Sequence, residues 1–271
     1  MELCWLITNK CNSDCSFCHF FERDKYIDLP IEKNITILEN IDKAGIKAIT
    51  WSGGEALQYI GIETLLNISK KMNIHNSLIT NGWFPDWLKR DLFINIDQLV
   101  VSIDSSDDTI NMILGRNSQQ TKNVQSIIEL ARSVNPNISI RINSVMCKST
   151  LYGIEELASF LADLKIDFWR ISKFAPLRGR AQTNQNIFDI SDLEYKNAIQ
   201  SAKGVFPEII QIRQDNDFEL KYLLIAPDGS IIQTKNNMDI IMGTALEVDA
   251  LIKAWGNDET SNFTGKTKAI T

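Results

Sequence analysis

Short apolar runs alternate with segments of helical periodicity through the first 175 residues, giving six βα repeats. That alternation constrains the fold more than any other feature. Parallel strands need a crossover between them, and a helix-length segment supplies it. Strands are expected over 3–8, 48–51, 76–80, 98–103, 139–145 and 167–174, each bounded by turn residues. Helices are expected over 30–44, 60–71, 84–92, 122–133 and 154–164. The first shows the pattern: Ile31, Ile35, Leu38 and Ile41 recur at spacings of three and four. Pro30 precedes them at an N1-like position and Gly45 follows. The expected class is α/β, a partial (βα)6 TIM-like barrel with a small C-terminal α/β cap. Periodicity alone does not separate a barrel from an open doubly wound sheet.

The pattern changes after residue 174. The stretch APLRGRAQTNQN is polar and reads as a loop. A helix over 192–203 follows, with Ser191 as its N-cap. Residues 221–226 and 230–233 flank Pro227-Asp228-Gly229 and read as a hairpin. Residues 245–255 read as a closing helix. The expected organisation is therefore a barrel over 1–175, a cap over 176–256 and a polar tail over 257–271.

Composition removes several classes. The 271 residues, 44% of them hydrophobic, suffice for a sizeable core. No apolar run approaches the roughly 18 residues a membrane span needs. The opening MELCWLIT lacks the basic segment and cleavage site of a signal peptide, so a cytoplasmic location is expected. With 28 Lys and Arg against 34 Asp and Glu the net charge is −6, which speaks against extended nucleic-acid binding.

Five cysteines cannot all pair internally. Cys11, Cys15 and Cys18 fall in the run Thr8-Asn9-Lys10-Cys11-Asn12-Ser13-Asp14-Cys15-Ser16-Phe17-Cys18-His19, just after the first strand. Such clustering indicates a metal in a reducing compartment rather than a disulfide framework. Structural zinc normally closes four ligands as two separated pairs, and no second pair exists here. Three thiolates would leave one iron of a [4Fe–4S] cluster open to a small molecule. A zinc loop completed by His19 is the alternative. Cys4 and Cys147 read as buried free thiols.

The C-x3-C-x2-C spacing, the aromatic Phe17 and the preceding Thr8-Asn9-Lys10 resemble the radical S-adenosylmethionine (radical SAM) superfamily. The likeness is to its viperin, molybdenum-cofactor-cyclase and SPASM-like branch, and it extends to about residue 255. It implies one [4Fe–4S] cluster on Cys11, Cys15 and Cys18, with S-adenosylmethionine on the open iron. Reductive cleavage then yields a 5′-deoxyadenosyl radical that abstracts a substrate hydrogen. Cluster and cofactor carry the hard chemistry, so no side chain is named as catalytic.

Other segments share the resemblance. Ser52-Gly53-Gly54-Glu55 is similar to the family's GGE motif, which implies Gly53, Gly54 and Glu55 at the cofactor's amino group. Phe17, Asn81, Ser102, Asp104, Arg141, Asn143 and Ile171 are further cofactor candidates. Asn81 and Asp104 read equally as loop structure, and Ile171 equally as core. Alternation puts Arg141 and Asn143 on one face of the fifth strand. The DTINMILGR segment offers Arg116 to a substrate carboxylate or phosphate. Lys173, Arg178 and Arg180 form a basic patch that either receives an anionic substrate or is plain surface. Trp51, Met146 and Trp169 read as core and His75 as structural.

The segment LLIAPDGSIIQ, with Met242-Gly243 and residues 249–255, resembles the SPASM or twitch extension. Thr234 stands where a cluster-binding cysteine is expected, and no cysteine follows Cys147. One cluster is therefore expected. The substrate is read as a small molecule or nucleotide, with radical modification of a ribosomally made peptide as the alternative. A non-catalytic iron–sulfur regulatory protein is the alternative of another class. An electron donor such as flavodoxin or ferredoxin is implied.

Overall fold

A computed structural model describes residues 1–20, 25–206, 210–213, 222–235 and 238–256. Six parallel strands run β1 (Glu2–Leu6), β2 (Ala48–Ser52), β3 (His75–Thr80), β4 (Gln98–Ser102), β5 (Ser139–Met146) and β6 (Phe168–Lys173). Between them lie α1 (Ile31–Lys43), α2 (Ile62–Lys71), α3 (Asp108–Ile113), α4 (Gln120–Val134) and α5 (Ile154–Asp163). After β6 come α6 (Gly179–Thr183), α7 (Gln185–Phe188), α8 (Asp192–Val205), β7 (Ile210–Arg213), β8 (Tyr222–Ile225), β9 (Ser230–Lys235), β10 (Met238–Thr244) and α9 (Val248–Gly256).

All ten strands join one sheet, in the order β10-β9-β8-β1-β2-β3-β4-β5-β6-β7. The sheet is not closed, and the architecture is a partial barrel. The residues after β6 extend both of its flanks: β7 pairs parallel with β6, and β8 pairs parallel with β1. The expected hairpin is present as β8 and β9, antiparallel around the turn. Lys221 and the expected tail 257–271 lie outside the described residues.

Each strand carries two faces. Leu3, Trp5, Ile49, Trp51, Ile140, Ile142 and Trp169 are buried in the main apolar core. Trp5 and Trp51 stack with ring centroids 5.0 Å apart. Trp51 Nε1 donates to Asn76 Oδ1 at 2.8 Å, so its polar edge is satisfied. The alternate positions, including Cys4, Thr50, Ser52, Ser102, Arg141, Asn143 and Arg170, line a cavity instead. Register aligns them across the sheet: Cys4 faces Thr50, Ser102 faces Asn143, and Asn143 faces Arg170.

Four local expectations are corrected. Residues 84–92 form no α-helix; a 3-10 helix spans Arg90–Asn95 instead. Pro85 allows one turn, closed by Leu88 N–H on its carbonyl at 3.1 Å, and so short a segment does not repay helix nucleation. Pro30 is the N-cap of α1 rather than its first residue, with extended φ −66° and ψ 158°. The polar stretch after residue 174 contains α6 and α7, which tertiary bonds stabilise rather than periodicity. Strands β7 and β10 are additions; a register shift between Ile241 and Gly243 breaks the alternation that would have marked β10. The Ser191 cap of α8 stands, as a capping box with Glu194. No described helix is long and apolar enough to cross a membrane.

Trp51 couples sheet packing to the buried Asn76 network. Trp51→Ala is expected to cost about 3–5 kcal/mol, read as a lower midpoint in urea unfolding.

Candidate functional site

A cavity of about 290 Å³ opens at the carboxyl ends of the central strands. The loop after β1 forms one wall, and Cys11, Cys15 and Cys18 all line it. None is in a disulfide.

Four attachments shape this loop. From β2, Gly54 N–H donates to Thr8 O at 2.8 Å and Glu55 N–H donates to Lys10 O at 2.7 Å. A Cβ on Gly54 would stand 2.3 Å from Lys10 O, so only glycine admits this approach. Asp28 accepts from Thr8 Oγ1 and from Asn9 N–H, at 2.5 and 2.9 Å. After α3, Gly115 O accepts Asp14 N–H at 2.9 Å and Leu114 O accepts Ser16 N–H at 3.1 Å. Gly115 has φ +87°, and a Cβ there would lie 2.3 Å from Asp14 O. From α6 and its end, Ala181 N–H donates to Cys18 O at 3.0 Å and Asn184 Nδ2 to Ser16 O at 2.8 Å.

The donor set fits an iron–sulfur cluster. Among the described residues no group of three or more His, Cys, Asp or Glu is arranged to hold a single metal ion. His19 also borders the cavity. A cluster instead binds each thiolate to a different iron. Burial pushes the Cys15 thiol up to about 11, with the Arg116 charge opposing it. Phe17 lines the cavity and also packs on Phe188, 6.0 Å between centroids, in a small apolar cluster with Leu114, Cys147 and Phe174. Cys147 is thus buried behind the loop, as expected. Cys4 is not: β1 alternation turns it to the cavity.

The facing wall joins Glu55, Asn81, Ser102, Arg141 and Asn143. Glu55 is buried and both its oxygens accept backbone N–H groups, from Leu57 at 3.1 Å and Asn81 at 2.7 Å. Burial pushes its pKa up to about 7 in spite of those bonds. Asn81 bridges back to the cysteine loop through Asn12 Oδ1 at 2.7 Å and Ser13 Oγ at 3.1 Å. Asn143 Oδ1 is buried without a partner among the described residues, as an acceptor awaiting a ligand donor would be.

Some expected residues sit elsewhere. Asp104 lies behind the wall, accepting Val145 N–H at 2.9 Å and Arg116 Nε at 2.7 Å. Ile171 is fully buried in the core and does not border the cavity. Arg116 reaches the cavity edge, but Asp104 holds it there. Of the basic patch, Lys173 and Arg178 line the cavity, whereas Arg180 pairs with Asp14 at 2.6 Å outside it. Lys173 pairs with Asp192 at 2.8 Å. Arg178 is bidentate on Asp239, at 3.0 and 2.7 Å. Sequence reading missed Arg170 and Ser172 on β6, although the alternation used for Arg141 would have found them. It also missed Gln120, whose Nε2 ties Asn81 O and Ser102 O at 2.6 and 2.8 Å; no sequence signal marks it.

Two outcomes are expected. Gly54→Ala, whose Cβ meets the Lys10 carbonyl, should lose more than half of the iron taken up in anaerobic reconstitution. Gly204→Ala, which meets nothing within 4 Å, should load normally. Glu55 holds its proton more tightly folded than unfolded, so its contribution favours folding below about 4.5 and fades as pH rises to about 7. Urea unfolding of the metal-free protein between those pH values should therefore show a falling stability that is shallower in Glu55→Gln.

Residues 5–172 match the model of the radical SAM superfamily. An S-adenosylmethionine-dependent nucleotide dehydratase of Selenomonas ruminantium is 27% identical over 252 residues, covering 90% of this chain and 89% of that protein. One from Fibrobacter sp. is 29% identical, covering 84% and 76%. Among solved structures, Streptococcus suis SuiB bound to S-adenosylmethionine has a TM-score of 0.72 at 20% identity. That match covers 95% of this chain and 66% of SuiB, slightly under two thirds. SuiB was also solved with its precursor peptide SuiA. The chain belongs to the radical SAM superfamily and is one of its enzymes.

Proposed function

We propose that this enzyme acts on a nucleotide. The observation that carries the reading is charge. In a chain of net charge −6, Arg141, Arg170, Lys173 and Arg178 border the cavity that the three cysteines line, Lys173 paired with Asp192 and Arg178 with Asp239. Arg141 and Arg170 bring guanidinium groups to the cavity border, where they can meet an anionic substrate. The nucleotide dehydratase relatives support the same class. The likeness to SuiB concerns fold alone, so peptide modification is left as an outcome of the test.

In this reading Cys11, Cys15 and Cys18 hold one [4Fe–4S] cluster, there being no cysteine after Cys147 for a second. When bound, the cluster and S-adenosylmethionine supply the electron and the radical that removes a substrate hydrogen. The Gly53-Gly54 backbone, next to the cysteine loop, receives the amino-acid end of the cofactor. Ser102, Arg141 and Asn143 meet its polar groups, and Phe17 closes the site from the loop side. Glu55, Asn81 and Asp104 act through the walls they brace, and Ile171 through packing. The radical site lies within residues 1–175, and Arg178 and Thr234 from the segment after it border the same cavity. A low-potential donor such as flavodoxin or ferredoxin, in a reducing cytoplasm, suits this chemistry.

The test is anaerobic reconstitution followed by dithionite, S-adenosylmethionine and a panel of nucleoside triphosphates, with 5′-deoxyadenosine as the readout. About four irons per chain and 5′-deoxyadenosine formation stimulated by at least one nucleotide are expected. Arg170→Ala should raise the KM for that nucleotide about tenfold, equivalent to about 1.4 kcal/mol. Iron near eight per chain would overturn the single cluster. Stimulation by a peptide and by no nucleotide would overturn the substrate class.

A further inference from the structure

Behind the cysteine loop lies a charged pair that the chemistry above does not use. Arg116 follows α3, and its Nε donates to Asp104 Oδ2 at 2.7 Å. The two side chains are only 10% and 1% exposed. Asp104 is fixed in turn by Val145 N–H. Arg116 Cζ lies 5.4 Å from the Phe17 ring centroid, over one of the two residues between Cys15 and Cys18. The preceding residue clamps the same loop: Gly115 O accepts both Asp14 N–H and the Cys15 thiol, the latter at 3.7 Å. Arg116 borders the cavity that Cys15 and Cys18 also line, and Asp104 does not, so of the pair it is the cation that shares the cavity with the cysteines.

Burying a charged pair is seldom stabilising against an apolar pair of similar volume. Stability alone is therefore a weak reason for placing one here. Burial opposes the Arg116 charge, but the Asp104 carboxylate, through its charge and its hydrogen bond, outweighs that and keeps the guanidinium protonated.

We propose that Arg116 is a positioning residue that sets the cluster's reduction potential. It places a fixed positive charge beside Cys15 and Cys18, with Asp104 as its orienting counter-charge. The step affected is the transfer of one electron from the external donor to the cluster. No bond is made or broken, and Arg116 keeps its proton. The reduced cluster carries one more negative charge, so a nearby cation favours it and raises the potential. The inference rests on the assignment of Cys11, Cys15 and Cys18 to a cluster.

An EPR-monitored redox titration of the reconstituted protein, without S-adenosylmethionine, tests it, with iron content measured alongside. Arg116→Gln should lower the midpoint potential. Asp104→Asn, which leaves the arginine uncompensated, should raise it. Arg116→Lys should stay near the wild type. Opposite shifts are the signature, because loosening of the loop would move both variants the same way. Shifts of the same sign, or none at wild-type iron content, would overturn the inference. If Arg116→Gln fails to hold iron, a raised midpoint in Asp104→Asn supports the inference, and an unchanged or lowered one overturns it. A wild type without an iron–sulfur signal would instead defeat the cluster assignment itself.

Discussion

Two backbone hydrogen bonds hold the site together: Gly54 N–H to Thr8 O and Glu55 N–H to Lys10 O. They continue the pairing of β1 with β2 past the last ladder residues, Leu6 and Ser52. A free loop of this length would sample many conformations at about 1–2 kcal/mol of backbone entropy per residue. Carrying the ladder onward removes much of that freedom before any metal arrives. The absence of a side chain at residue 54 is what makes this possible, since Lys10 O occupies the space a Cβ would need.

From that junction order spreads sideways. Glu55 turns under the loop and takes Asn81 N–H, and Asn81 reaches back to Asn12 and Ser13. Gln120 then joins the ends of β3 and β4 by bonding both Asn81 O and Ser102 O. Four strand ends and the cysteine loop thus share one buried network. Buried polar groups are costly unless satisfied, and networks of this kind hold a single arrangement because partial ones are penalised. A carboxyl pushed up to about 7 inside that network is its one titrating member near neutrality.

The helical crossovers were legible because burial obeys period. Leu38 and Ile41 of α1 are buried and Ile31 and Ile35 partly so, as the spacing required, and Ile37, outside that series, is buried as well. The cysteine loop was legible because metal chemistry fixes residue type and spacing together. The cavity was legible in part: one alternating strand, IRINSV, showed a polar face at Arg141 and Asn143. What escaped was whatever depends on long-range pairing. Arg116 reads locally as the end of a helix; only the fold reveals that Asp104 stands opposite it, 12 residues earlier in the chain. Likewise α6 is a polar pentapeptide, GRAQT, ordered by bonds to Cys18 and its neighbours rather than by any pattern of its own.

The same distinction explains Thr234. By resemblance a cysteine belongs there, yet the threonine is not idle. Its hydroxyl donates to Asp239 Oδ1 at 2.9 Å and accepts from Arg178 Nη2 at 3.0 Å. Arg178 also grips Asp239 with two nitrogens, so β9, β10 and the segment after β6 meet at one point. A bidentate arginine–carboxylate pair adds geometric specificity to its strength. The next residue, Gly179, starts α6, whose Ala181 holds the Cys18 carbonyl. A mechanical line therefore runs from the C-terminal hairpin to the third cysteine through side-chain hydrogen bonds. The ion pair fixes these elements through side chains alone, with no metal needed to hold them.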